Sequence, residues 1–115
     1  MMNILVKAKD LYDECGLDLN RDIAAYAAHG YVFITPSSFL LGKSVDTTSD
    51  IKPQDQWDVE KPNAWYVHMA VGEFSTGVKE FISRIPYPLP FVGWSRATKN
   101  QPVRWYDFKK IIRRK

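Results

Sequence analysis

The sequence predicts a single α+β domain in which an antiparallel sheet of about five strands carries helices on one face. Three observations support this class. Apolar residues recur at helical spacing in the first 30 positions, runs of β-branched and aromatic residues follow, and turn residues separate several of these runs. Short turns join antiparallel neighbours, so they favour an antiparallel sheet over a parallel one. The predicted order is α-α-β-β-β-α-β-β-α, and the 115 residues fit one domain spanning 1–115.

Two amphipathic helices are predicted at the start of the chain. The apolar residues between Ile4 and Cys15 fall on one helix face, and Gly16 provides a stop. A second helix is expected to begin at Asn20, because asparagine is a good N-cap, and to end at Gly30.

A hairpin and a loop are predicted next. Residues 31–35 form a β-branched and aromatic run, Pro36 interrupts it, and a second strand covers 39–45. Residues 46–63 are polar and mostly acidic, so we expect a long exposed loop, which Trp57 could pin to the domain.

The strand predicted over 64–71 carries the candidate catalytic residues. Alternation places Trp65, Val67, Met69 and Val71 on one face and Tyr66, His68 and Ala70 on the other, less apolar face. A strand can hold Tyr66 and His68 rigidly about 7 Å apart, facing one cavity, as acid–base catalysis requires. A tyrosine and a histidine under a helix are more often structural residues, and we prefer that interpretation from the sequence alone.

A third helix and a stiff connector are predicted after this strand. Residues 74–85 place their apolar side chains on one stripe, and Pro86 ends the helix. The proline-rich segment 86–90 can neither continue a helix nor supply successive ladder donors, so it should be extended. Such a segment could also present a polyproline ridge to a partner, although connectors are commoner.

A second hairpin and a short helix complete the predicted fold. Strands over 91–96 and 102–106 would form the hairpin, with Trp94 and Trp105 available to pair across it. The predicted end of the chain comprises an N-cap at Asp107, a helix through Phe108, Ile111 and Ile112, and a frayed basic tail over 113–115.

Composition and charge exclude several classes of protein. No stretch approaches the roughly 20 apolar residues of a membrane span, and the N-terminus has no secretory cleavage pattern. The single Cys15 excludes an intrachain disulfide, which fits a reducing compartment. We therefore expect a cytoplasmic protein without a membrane partner.

Familiar ligand motifs are incomplete in this sequence. Gly42-Lys43-Ser44 resembles the end of a phosphate-binding loop, but Ser37 stands where that loop needs its first glycine. Asp46, Thr48 and Asp50 have calcium-loop spacing, yet Ile51 occupies the glycine position. His29, His68 and Cys15 lack the paired spacing of metal ligands. The sequence thus predicts no metal and no cofactor.

The C-terminal segment is the most distinctive feature of the composition. From Arg96 to Lys115 eight basic residues stand against Asp107 alone, a net charge of +7, while the rest of the chain carries −4. The segment also contains Trp105, Tyr106 and Phe108, and tryptophan, tyrosine and arginine are the usual interface hot-spot types. The predicted binding residues are Tyr87, Trp94, Arg96, Arg104, Trp105, Lys109, Lys110 and Arg113.

Three functional hypotheses follow from these features. The first is a non-enzymatic interaction domain that binds another protein, or a second copy of itself, through the aromatic and basic C-terminal surface. The second is a nucleic-acid binder, since basic residues neutralise phosphates and exposed rings stack on unpaired bases. The third is a small enzyme that uses Tyr66 and His68 in a pocket.

Overall fold

A computed structural model describes residues 3–72, 81, 83–84, 89–94 and 103–107 of the chain. Two helices come first, α1 (Ile4–Cys15) and α2 (Leu19–His29). The strands are β1 (Tyr31–Ile34), β2 (Ser38–Val45), β3 (Ala64–Gly72), β4 (Phe91–Trp94) and β5 (Arg104–Asp107), with one 3₁₀ turn at Pro53–Asp55. The α+β class and the five strands are confirmed. No helix within these described ranges is long and apolar enough to cross a membrane.

Side-chain and backbone caps define the ends of the two helices. The Asn3 side chain accepts a hydrogen bond from Leu5 N at the start of α1, and Gly16 ends that helix at a left-handed φ of 68°. Helix α2 is capped by Asp18, whose side chain accepts from Arg21 N at 3.1 Å. The prediction of Asn20 as the N-cap is therefore wrong. Starting two residues earlier places Leu19 inside the helix, where its side chain is buried.

The five strands lie in the sheet in their chain order, and one pair is parallel. Strands β1 and β2, β2 and β3, and β4 and β5 pair antiparallel, so both predicted hairpins are confirmed. Strands β3 and β4 pair in parallel, from Ala64↔Phe91 to Val67↔Trp94. A purely antiparallel sheet was therefore the wrong prediction. More than a dozen residues separate β3 from β4, which is the length that a parallel crossover needs.

Both faces of the sheet are covered. Helices α1 and α2 pack on one face, which we call the helix face, against Phe39, Leu41 and Met69. On the opposite face Phe81 packs with Trp65 and the neighbouring residues Leu40, Val67 and Val92. Phe81 is helical, as are Ser83 and Arg84. The prediction that helices cover one face only is therefore wrong, because the helical residue Phe81 packs on the face opposite α1 and α2.

The order of the described helices also differs from the prediction, since both helices come before the sheet. The third predicted helix, over 74–85, is described at three residues only, and those three are helical. The predicted terminal helix over 108–112 and the tail over 113–115 lie outside the described residues. Asp107 itself belongs to β5 and pairs with Phe91, and the helix that it was predicted to cap lies outside the described residues.

A β-bulge at His68 changes the face on which later residues of β3 lie. Leu41 pairs with Met69 while the next residue, Gly42, pairs with Val67, which leaves His68 without an opposite residue on β2. As a result Met69 and Val71 pack on the helix face, whereas Trp65 and Val67 pack on the opposite face. The strict alternation predicted for this strand is therefore wrong beyond His68, from Met69 onwards.

Candidate functional site

Six polar side chains meet between the helix face of the sheet and the two helices. Helix α1 contributes one of them, α2 two, β2 one and β3 two. We call this group the polar cluster, and it comprises Tyr12, Asp22, Tyr26, Lys43, Tyr66 and His68. Local patterning explains their position, because Asp22 and Tyr26 lie one helical turn apart and Tyr66 lies opposite Lys43 across β2 and β3.

Asp22, His68 and Tyr66 form a hydrogen-bonded series through the cluster. The Asp22 carboxylate lies 2.9 Å from His68 Nε2, and His68 Nδ1 lies 3.4 Å from the Tyr66 hydroxyl. An ionised carboxylate can only accept, so Nε2 donates to Asp22 and Nδ1 faces the Tyr66 hydroxyl. The ring of Tyr26 stacks on the imidazole with 5.3 Å between centroids. The imidazole is thus held in one orientation with its basic nitrogen towards Tyr66.

The three tyrosines of the cluster are held in their protonated form. Burial, followed by the Asp22 and Asp55 charges, raises the pKa of Tyr66 to about 12. Burial also raises the pKa of Tyr12 and Tyr26 above the usual range, and the nearby Asp22 charge acts in the same direction. Each phenol is therefore a hydrogen-bond donor throughout the neutral pH range.

Two of these phenols have buried hydroxyls that are not fully satisfied. Neither the Tyr12 nor the Tyr26 hydroxyl has a hydrogen-bond partner of good geometry within the described part of the chain. Asp22 acts on the Tyr12 hydroxyl as a hydrogen-bond acceptor and so helps to raise its pKa, whereas the Tyr26 hydroxyl has no such contact. Buried hydroxyls are normally satisfied, so the Tyr26 hydroxyl in particular points to a water or a ligand in the cluster.

Lys43 places an amine in the same buried region. The residue is 1% exposed, and its Nζ donates to the Gln54 carbonyl at 3.0 Å. The same nitrogen lies 3.4 Å from the ring centroid of Trp57 and 5.5 Å from that of Tyr26. Among the described residues no carboxylate is within ion-pair distance of it. Burial lowers the pKa of Lys43 to about 8, although Asp55 and Asp22 oppose this change.

The loop between β2 and β3 covers the amine. The Gln56 side chain is buried and makes three hydrogen bonds to backbone atoms of Asp46 and Ile51, at 2.7 to 3.0 Å. These bonds fix the neighbouring Trp57, which is 38% exposed and also contacts Tyr26 edge-on at 5.1 Å. The predicted pinning by Trp57 is thus present. The loop is not exposed throughout, because Gln56 is buried.

The two histidines occupy different environments. His29 lies at the C-terminal end of α2 and forms an exposed pair with Asp58 at 3.0 Å. His68 is 18% exposed and pairs with Asp22, which is 46 positions away in the sequence. No group of three or more His, Cys, Asp or Glu side chains within the described ranges could hold a metal ion.

Sequence reasoning found Tyr66 and His68 but missed their partners. Asp22 was one of many acidic residues, and nothing local distinguishes it from an exposed helix carboxylate. The burial of Lys43 could have been predicted from the sequence. In β2 every second residue lies on one face, and the other residues of the Lys43 face are apolar: Phe39, Leu41 and Val45. A lysine in such a series is placed on the buried face.

The predicted C-terminal binding residues are only partly described. Trp94 stacks on Tyr106 at 4.6 Å, and not on Trp105, because Trp105 lies opposite Gly93 and packs on it. Arg104 is exposed, whereas Trp105 is partly buried near Tyr66 and Ala64. The other predicted binding residues lie outside the described residues: Tyr87, Arg96, Lys109, Lys110 and Arg113.

A scan against protein-family models, a search of curated proteins and a search of solved structures each found no match. The functional proposals below therefore rest on the geometry of the described residues.

Proposed function

We propose that the protein is a small enzyme that transfers protons with Asp22, His68 and Tyr66. The observation that carries this proposal is the position of His68 between a carboxylate at 2.9 Å and a phenol at 3.4 Å. A nucleophile or acid, a base and a group that orients the base are the three parts of an acid–base site. Here Tyr66 and His68 lie two positions apart on one strand, and Asp22 joins them from 46 positions away.

Each residue has a distinct role in this proposal. Asp22 accepts from Nε2 and stabilises the imidazolium that forms when Nδ1 takes a proton. Tyr66 keeps its proton at neutral pH because its pKa is raised to about 12, so it donates a hydrogen bond or a proton to a substrate oxygen. The stacked Tyr26 ring restricts rotation of the imidazole.

The incompletely satisfied hydroxyls indicate that the polar cluster is a ligand-binding site and not only a structural hydrogen-bond network. A structural network of buried polar groups would satisfy its own donors, because each orphaned group lowers stability by about 1–3 kcal/mol. The Tyr26 hydroxyl is one such group, and the Tyr12 hydroxyl has only its contact with Asp22. A bound small molecule with oxygen acceptors would satisfy both.

Ester hydrolysis provides a direct test of the proton transfer. We expect the protein to hydrolyse small p-nitrophenyl esters and to slow by about 100-fold in His68→Gln, which is the usual contribution of a general base. Tyr66→Phe should slow the reaction as well. His29→Gln is the matched control, because His29 is exposed and outside the polar cluster, and it should retain the wild-type rate. A folded His68→Gln variant with the wild-type rate would refute the proposal.

A second candidate function is binding through the C-terminal hairpin. Tyr106 is 37% exposed and stacks on Trp94, and the exposed Arg104 lies opposite Trp94 on the same face. Aromatic side chains beside an arginine suit a protein partner or a second copy of the chain. Sedimentation velocity should then show self-association that Tyr106→Ser weakens, with the helix variant Lys9→Ser as the control.

Nucleic-acid binding remains a prediction from the sequence. If the basic C-terminal segment binds phosphates, affinity in a gel-shift assay should fall steeply with salt. Removal of residues 109–115 should abolish most of the binding. Binding that does not depend on salt would exclude this function.

A further inference from the structure

We propose that Lys43 forms an imine with a small aldehyde or ketone, so that the polar cluster is a covalent carbonyl-binding site. The inference deepens the proposed proton-transfer function and rests on it for the movement of protons. The observations that support it concern the surroundings of the Lys43 amine, and Lys43 has no role in the proton-transfer proposal.

The groups around Lys43 resemble those around a nucleophilic lysine more closely than those around a structural, ion-paired lysine. A structural buried ammonium is paired with a carboxylate, whereas Lys43 Nζ has a carbonyl oxygen at 3.0 Å and an aromatic ring beneath it. Its nearest described charges, Asp55 and Asp22, act from beyond ion-pair distance. Burial lowers the pKa of Lys43 to about 8, so a large fraction of the amine is neutral in mildly alkaline buffer.

The acid and base that imine formation needs lie beside the amine. Lys43 and Tyr66 are directly opposite in the pairing of β2 and β3, so their side chains leave the helix face side by side. The Lys43 amine, at 5.5 Å, and the imidazole of His68, at 5.3 Å, both border the ring of Tyr26. One small molecule held above Tyr26 could therefore reach both Lys43 and His68.

The reaction is balanced without an additional reagent. The amine lone pair attacks the carbonyl carbon, a C–N bond forms, and the oxygen takes a proton from Tyr66. The amine nitrogen then loses its extra proton to His68 Nδ1. In the second step the C–O bond breaks as the oxygen takes the proton from His68 and leaves as water. The remaining N–H proton passes to the Tyr66 phenolate as C=N forms, so both side chains return to their starting state. The sum is one carbonyl compound plus one amine giving one imine plus one water.

The Tyr12 and Tyr26 hydroxyls indicate which groups of a ligand could be bound, and the loop that carries Trp57 controls access to Lys43. The Tyr12 and Tyr26 hydroxyls would donate to an oxygen substituent of the bound molecule. Trp57 covers the amine, so a carbonyl compound reaches Lys43 only when this side chain moves aside. Trp57 is partly exposed and belongs to the loop between β2 and β3, so a movement of its side chain leaves the sheet intact.

Reductive trapping in the wild-type protein tests the inference. The protein is incubated with acetaldehyde or glyoxylate and cyanoborohydride near pH 8, and the labelled lysines are identified by peptide mass mapping. We expect Lys43 to be labelled about tenfold faster than the exposed Lys52, despite its burial, since more of its amine is neutral. In urea, where both amines are exposed, the two rates should become equal. Labelling of Lys43 no faster than that of Lys52 in the folded protein would overturn the inference.

Two variants separate this inference from the proposed function. Trp57→Ala should speed labelling of Lys43, because it removes both the cover and the aromatic ring that stabilises the ammonium. Tyr66→Phe should slow labelling of Lys43 and leave Lys52 unchanged. If Lys43 is labelled at the same rate in the wild type and in Tyr66→Phe, Tyr66 does not act as the acid. That result would leave the assignment of Lys43 as the imine-forming residue unaffected. Hydrolysis of esters that depends on His68, without labelling of Lys43, would refute the lysine site alone.

Discussion

Lys43 introduces an amine into a part of the core where its charge has no carboxylate partner among the described residues. The folded chain lowers the free energy of this arrangement with the Gln54 carbonyl and the ring of Trp57. Neither contact replaces full hydration, so the folded state favours loss of the proton. The stability of the protein should therefore respond to pH in a range where carboxylates and histidines no longer titrate.

The first prediction concerns this pH response. An unfolded lysine ionises near 10.5, whereas Lys43 in the folded protein does so near 8. Between these values the unfolded chain binds more protons, so the free energy of unfolding should rise with pH, by about 2 kcal/mol from pH 7 to about pH 9.5. Urea unfolding at the two pH values measures the change.

Two variants isolate the contribution of Lys43 to that rise. Lys43→Met should be at least as stable as the wild type at pH 7 and should lose the rise, because it removes the buried charge. Lys52→Met, at an exposed position, should keep the rise. Measurements should stop below pH 10, where unfolded tyrosines begin to ionise and the raised pKa values of the buried tyrosines reverse the slope. An equal rise in Lys43→Met would contradict the prediction.

The second prediction concerns the Tyr26 hydroxyl. Because this hydroxyl is buried without a partner, Tyr26→Phe should leave the stability unchanged or raise it by up to about 1 kcal/mol. Tyr66→Phe is the matched comparison and should lower the stability by about 1 kcal/mol, since its hydroxyl bonds to His68. Chemical denaturation of the two variants distinguishes these outcomes. Equal losses in both would mean that the Tyr26 hydroxyl has a partner after all, such as a bound water.

The bulge in β3 explains why the sequence predicted part of the site and missed the rest. Alternation correctly placed Tyr66 and His68 on one face, because the bulge begins only at His68. The bulge is set by the pairing with β2 and by packing of Met69 beneath the helices, both of which are long-range effects. The alternation of apolar and polar residues along the strand contains no information about this pairing or this packing. Met69 was therefore predicted on the opposite face.

The third prediction concerns the start of α2. Asp18 and Asn20 are both good N-cap types, and local sequence did not decide between them. The observed cap at Asp18 implies that Asp18→Ala should destabilise the protein by about 1 kcal/mol. Asn20→Ala should have almost no effect, because Asn20 is an exposed residue in the first turn. Thermal unfolding of the two variants is sufficient, and the reverse order of stabilities would show that the cap is at Asn20.

The topology of the whole sheet was the least accessible to sequence reasoning. Turn residues correctly identified the two hairpins, which are local in the sequence. The parallel pairing of β3 and β4 depends on a crossover of more than a dozen residues, and residue patterns do not encode the direction in which a strand returns. The polar cluster has the same origin. Asp22 and His68 are 46 positions apart, and only the packing of α2 on the sheet brings them together.

The last prediction follows from the arrangement of layers. Strands β2 and β3 lie between other strands and are covered by the helices on one face and by Phe81 on the other. Strands β1 and β5 are the outer strands of the sheet. Amide hydrogen exchange by NMR should therefore be slowest in β2 and β3, with exchange free energies close to that of global unfolding. Amides of β5 should exchange at much lower free energies, since β4 is the one strand of the described ranges that pairs with it. If the amides of β5 were as slow as those of β2, the outer strand would be covered by a further layer, and the C-terminal hairpin would no longer offer Arg104 and Tyr106 to a partner.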